Sequence, residues 1–329
     1  MAPIDNWYDH NKAFWDAYHI GRPNIPDSFF NRIYDYHNSH AGKFDLVHEP
    51  GAGLGIHSLR LAEKFSRVLI TDPSDQNIES IKQRLSSPPT QQNHGENLEI
   101  HKSKLEDIPI TLPQTTGTVD LIFCATMLHW TSILPAMQSI SSQLVSPTGT
   151  FVAFSCGALH LYEKKINEIW IPIIPSETSK FFRRKYNACS TSQEKKALID
   201  WAIIGRSAYD SVLIDPDLFT DVQRIKLNYD TPGFDLRTAT IGNFVDDIFP
   251  LDLEPFSEVK EGEDVVREMC AEGWEFEGGI DVLRAVAETF PIEKESENFR
   301  TRWAELESVV GDGKVKGVWP VSLIMATRK

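Results

Sequence analysis

The chain has 329 residues, 41% of them hydrophobic and 24% charged, a balance that supports a large buried core and excludes disordered, collagen-like and disulfide-miniprotein classes. Lys and Arg number 33 against 47 Asp and Glu, a formal charge of −14 that argues against nucleic acid as a partner, because phosphate binding needs clustered cations. The four cysteines (Cys124, Cys156, Cys189, Cys270) lack C-x-x-C spacing, so no metal site or disulfide framework is indicated, and no stretch approaches the roughly 18 apolar residues of a membrane span. With no basic and apolar leader in Met-Ala-Pro-Ile-Asp-Asn-Trp, a cytoplasmic chain with reduced thiols and no membrane partner is expected.

From Asn11 to Tyr36, aromatic residues punctuated by Gly21-Arg22-Pro23 and Ile25-Pro26 predict two short helices and a turn, an N-terminal flap over residues 1–40. Phe44 to Glu49 reads as a strand, followed by glycines and an amphipathic segment from His57 to Phe65. Arg67 to Asp72 is a second strand and Asp75 to Leu85 a second helix; Pro88 and Pro89 open a polar loop. Strands are expected at 98–101, 119–124 and 149–154, with a helix from Ile133 to Leu144. This alternation predicts an α/β fold, a doubly wound, mostly parallel Rossmann-like sheet with the core over residues 41–156. From Ala158 to about Asp215 the pattern turns helical, the mark of a cap over residues 157–221 inserted after strand five, above the strand ends where open sheets hold ligands. Residues 222–329 complete the core: a strand at 222–227, helical segments at 262–271 and 278–289, and one closing strand from Val318 to Thr327. The clusters Lys180, Arg183, Arg184, Lys185 and Lys195, Lys196 read as a solvated helical face.

The most informative motif is Glu49-Pro50-Gly51-Ala52-Gly53-Leu54-Gly55, between predicted strand and helix. Glycines there allow a sharp turn and close backbone approach to a ligand, and a nicotinamide fingerprint would need glycine at Ile56. Asp72, 17 residues after Gly55 at the end of the next strand, is placed to hold ribose hydroxyls, so the pair favours a nucleoside-like cofactor.

With these residues, the chain resembles class I S-adenosylmethionine-dependent methyltransferases, most closely the trans-aconitate methyltransferase-type small-molecule branch. The resemblance rests on ordered motifs: Gly21 to Pro26, Glu49 to Gly55, Asp72-Pro73-Ser74, Leu105 to Pro109, Asp120 to Phe123 running to His129-Trp130, and Ser146 to Thr150, with an echo at Trp319 to Ile324. It implies S-adenosyl-L-methionine as cofactor, with Gly51, Ala52, Gly53 and Gly55 under its methionine part and Glu49 facing the amino group. It further implies Asp72 and Pro73 at the ribose, Leu105 and Glu106 at the adenine, and Ala125 near the sulfonium. Lys104 stands where many relatives have the Asp that reads the adenine amino group.

Tyr18, Arg22, His129 and Trp130 are the candidate substrate residues. Methyl transfer needs alignment and exclusion of water, and a base only for a hydroxyl or amine acceptor; His129 is the candidate catalytic base, with packing against Trp130 as its other reading. His57 is expected to be structural. Trp170, Phe181, Phe182, Tyr186, Trp201 and Tyr209 are candidates for an apolar pocket, and Arg183 and Arg184 for holding a carboxylate. The expected function is transfer to a carboxylate or hydroxyl of a small metabolite. The alternative is an enzyme of this fold in secondary metabolism that catalyses another reaction in the same pocket.

Overall fold

The computed structural model describes residues 11–85, 97–231 and 257–329. Five strands run parallel in the order β3 (Leu98–Lys102), β2 (Arg67–Asp72), β1 (Leu46–Pro50), β4 (Leu121–Ala125), β5 (Thr150–Cys156). The sheet continues with β11 (Val321–Arg328), antiparallel to both neighbours, then β7 (Phe219–Leu227) and β8 (Asp264–Glu268). Helices on both faces explain why the central strands are buried end to end. The pleat divides their side chains: Val47, Val68, Ile70, Phe123 and Val152 enter one core, Leu46, Leu69, Ile122, Cys124 and Phe151 the other.

The N-terminal segment holds α1 (Lys12–Gly21), capped by Asn11, whose side chain accepts from Phe14 N, and α2 (Asp27–Ser39), whose Phe29, Phe30 and Ile33 are buried in the main core. α3 (Ser58–Ala62) and α4 (Asp75–Leu85) follow β1 and β2; α5 (Ile133–Gln143) follows β4. The insertion after β5 holds α6 (Lys164–Trp170), α7 (Ile173–Ala188) and α8 (Ser192–Arg206), the last opened by a capping box in which Thr191 and Glu194 exchange backbone hydrogen bonds. α9 (Ile280–Glu288) and α10 (Glu297–Val310) precede the last strands.

Three readings are corrected. Residues 264–268 form strand β8, not helix: Asp-Val-Val-Arg-Glu pairs in parallel with β7, its β-branched pair suiting a pleated edge. The closing segment is two strands, because Pro320 cannot donate to a ladder: β10 (Val315–Val318) joins a small antiparallel sheet with β6 (His160–Leu161) and β9 (Glu275–Gly278), and β11 returns to the main sheet. Helix α10, which no sequence feature had isolated, starts where Ser296 caps Phe299 N. The loop expected after Pro88 lies outside the described residues. Among the described residues no helix is long and apolar enough to cross a membrane.

Candidate active site

A cavity of about 240 Å³ opens above the C-terminal ends of β1, β2, β4 and β5, between the core, α1 and the insertion. Its floor is the glycine loop. Gly51 (φ 59°) and Gly53 (φ 60°) are left-handed, and a Cβ would lie 3.0 Å from Met127 at the first and 2.5 Å from the Trp15 indole at the second. Only bare backbone fits between these walls. Asp72 ties the loop to α4: one carboxylate oxygen accepts from Gly53 N (2.9 Å), the other from Ser74 N (2.9 Å) and Asn77 Nδ2 (3.1 Å). Trp15 Nε1 donates to Asn77 Oδ1 (3.2 Å), holding α1 over the same place.

Glu49 and Gly55 lie beneath the cavity and do not line it. Glu49 is fully buried; one oxygen accepts from Ser58 Oγ, and Oε1 has no partner. Burial pushes its carboxyl up to about 8. A Cβ at Gly55 would press on Ser58 Oγ at 3.1 Å, so this glycine serves packing.

Pro73, Lys104, Leu105 and Glu106 line the far end. Leu105 O accepts from Ser139 Oγ (2.5 Å), and Glu106 Oε1 from Ser132 N (2.7 Å), with burial raising the Glu106 carboxyl.

At the opposite end stand Ala125 and Thr126 after β4, His129 and Trp130, then Phe182 and Trp201 from the insertion. Trp201 packs on Trp130 with centroids 3.8 Å apart and on Phe182 at 4.9 Å, an aromatic wall. Arg22, at the C-terminus of α1, enters between Phe290 (4.3 Å), Tyr18 (5.6 Å) and Trp319 (5.7 Å). Its Nη2 donates to Thr289 O (3.3 Å), its buried Nε has no partner, and no carboxylate among the described residues pairs with it. His129 Nδ1 lies 3.0 Å from Tyr209 Oη, and burial, with Arg22 nearby, holds the imidazole down at about 3.

Thus Tyr18, Arg22, Gly51, Ala52, Gly53, Asp72, Pro73, Leu105, Glu106, Ala125, His129 and Trp130 all border one cavity. Of the apolar-pocket candidates only Phe182 and Trp201 do. Trp170 and Tyr209 are fully buried elsewhere, and Phe181 and Tyr186 pack behind Phe182 and Trp201. Arg183 and Arg184 are not at the cavity; Arg184 pairs with Glu293 on the surface (2.7 Å). His57 sits beside Phe123 (5.8 Å) and Phe154 (6.0 Å), and burial lowers it to about 4. Sequence reasoning missed Trp15, although Trp15, Tyr18 and Arg22 recur at i, i+3 and i+7, one helix face. It also missed Thr289 to Pro291, for which no local signal exists.

The residues present fit S-adenosylmethionine. The loop leaves space that any Cβ would fill, and the Asp72 carboxylate and the backbone of Ala52 and Gly53 border it beside the aromatic end. Asp72→Ala is expected to weaken cofactor affinity by about 1.5–3 kcal/mol, the range for hydrogen bonds to a charged group, and to lower the melting temperature because Gly53, Ser74 and Asn77 lose their shared acceptor. Calorimetry and thermal melts check both; unchanged affinity with lost stability would leave Asp72 as a strut only.

The "Methyltransferase domain" family model matches residues 47–149. The chain is 32% identical to the methyltransferase AacuQ of Aspergillus aculeatus, covering 99% of this chain and 96% of that protein. It is 29% identical to the methyltransferase gedG of Aspergillus terreus, covering 100% and 95%. A solved structure from Anaeromyxobacter dehalogenans, described as a candidate type II methyltransferase, shares the fold with a TM-score of 0.55 at 14% identity, covering 93% and 97%.

Proposed function

The chain belongs to the methyltransferases and is S-adenosylmethionine-dependent, and from that premise we propose that it forms the methyl ester of a small carboxylic acid with an apolar, ring-bearing body. The observation that carries this reading is Arg22: a guanidinium among aromatic rings, with a buried Nε that has no partner. A cation so placed recruits an anion, and a guanidinium fork matches a carboxylate. The wall of Trp130, Phe182 and Trp201 suits a flat apolar body. This shares its acceptor chemistry with the trans-aconitate methyltransferase-type branch, while the aromatic lining fits a less polar molecule.

The cofactor supplies an electrophilic methyl group on a sulfonium. The protein aligns the acceptor oxygen and keeps water out, with Arg22 holding the carboxylate, Thr126 and His129 bordering it, and Phe182 and Trp201 closing the cap side. A carboxylate needs no base. His129 is poorly suited to be one, because burial and the nearby Arg22 guanidinium disfavour the imidazolium that taking a proton would create.

The full chain should transfer methyl to arylcarboxylic acids, giving products that mild alkali cleaves to methanol and the parent acid. Methylation of matched phenols or amines with the acids left untouched would refute the reading. With cofactor and acceptor saturating, kcat should be level from about pH 6 to 8, since the carboxylate is already ionised and His129 neutral there, and should fall only as the acid protonates below about pH 5. A limb near pH 6.5 would restore His129 as a base. Arg22→Met should lower kcat/KM for the acid about 10²-fold, from loss of a charge-assisted hydrogen bond, with S-adenosylhomocysteine binding retained.

A further inference from the structure

Between α8 and β7 the chain turns through Ala208 (φ 49°) and Tyr209 (φ 70°), two successive left-handed residues that carry a Cβ. Such a conformation persists only where the surroundings over-determine it. Here two buried cations of β7 do so. Arg224 donates to the carbonyls of Tyr209 (3.0 Å) and Val212 (2.8 Å) and pairs with Glu263; Lys226 donates to the Ala208 carbonyl (2.5 Å) and pairs with Asp210 (2.8 Å). What this clamp fixes is the fully buried Tyr209 ring, whose Oη lies 3.0 Å from His129 Nδ1. A fully buried hydroxyl has a proton to place, and among the described residues Nδ1 is the acceptor within hydrogen-bond distance of it.

We propose that Tyr209 donates to His129 Nδ1 and locks the imidazole in its Nε2–H form, making His129 a hydrogen-bond donor to the acceptor oxygen. Tyr209 is a positioning residue: it does not border the cavity and acts through His129. The donor role toward a carboxylate rests on the acceptor reading above; the tautomer does not. With Arg22 at the same end, the site then offers a cation and a neutral donor to one anion.

The test uses the full chain labelled with ¹⁵N-histidine, with no acceptor added. Long-range proton–nitrogen correlation, with the His129 signals assigned from their loss in His129→Gln, should show Nδ1 bare and Nε2 protonated. A proton on Nδ1 overturns the proposal, whatever the acceptor is. A bare Nδ1 together with failure on every carboxylic acid would count against the acceptor reading instead. Tyr209→Phe should stay folded with a melting temperature lowered by no more than about 4 °C, bind S-adenosylhomocysteine unchanged, and raise the acceptor KM about 3- to 12-fold, the worth of one neutral hydrogen bond. His129→Gln, whose amide nitrogen stands in for Nε2–H, should keep kcat within about 10-fold of the parent, and in that background Tyr209→Phe should add nothing. Full additivity of the two losses would show that Tyr209 does not act through His129, and would overturn the proposal too.

Discussion

Gly53→Val is expected to abolish cofactor binding while leaving the sheet assembled. Three effects converge on this position. The residue is left-handed at φ 60°, where a β-branched side chain is strongly disfavoured. Its Cβ would lie 2.5 Å from the Trp15 indole, which is itself hydrogen-bonded to Asn77, so α1 would have to lift. Its N–H donates to Asp72, and any relief of the first two strains by rotating the loop breaks that bond. Taking about 1–2 kcal/mol for the backbone, 1–3 for the overlap and 1.5–3 for the charge-assisted hydrogen bond, the loss reaches about 10³-fold or more in Kd. Titration with S-adenosylhomocysteine should give no detectable heat while the far-ultraviolet circular dichroism keeps its parent form. Parent affinity in this variant would remove the loop from the binding site.

Arg224→Leu is expected to be strongly destabilising although the side chain lies outside the cavity. The guanidinium is fully buried and serves Glu263 and two backbone carbonyls; leucine fills part of the volume but leaves the buried carboxylate unpaired. Removing one partner of such a pair costs about 3–5 kcal/mol. With an unfolding entropy near 2.1 cal/mol/K per residue, about 0.7 kcal/mol/K for this length, the melting temperature should fall by roughly 4–7 °C. Calorimetric scans of parent and variant decide it. A shift under about 1 °C would mean that Glu263 and the turn find other partners.

What the sequence makes legible follows from how local each cause is. β2 and α4 can be read residue by residue because the continuous apolar run Val68-Leu69-Ile70, typical of a strand buried on both faces, gives way after Asp75 to Ile78, Ile81 and Leu85 at helical spacing. The glycine loop is legible because its physical demand, left-handed backbone, selects one amino acid. β8 is not, since a five-residue edge strand with charges at both ends gives little alternation to detect. The cavity's second half is equally hidden. Arg22 meets the Thr289 carbonyl across 267 residues, and which side of α7 and α8 faces inward is decided by Trp130 and Trp201 meeting. His129 was legible as a residue but not as a chemical species. Its protonation is set by burial, by Arg22 and by a tyrosine held in place from β7.

Helix α1 carries Trp15 over the glycine loop and Arg22 at the aromatic end, seven residues and roughly 10 Å apart along one short rod. Both ligands therefore share a single door. A rigid helix cannot release its grip on one end of the cavity and keep it at the other, so any lifting of α1 would uncover both ends at once. In the proposed reaction, esterification would remove the charge that Arg22 is placed to hold, while the indole over the loop would be unaffected.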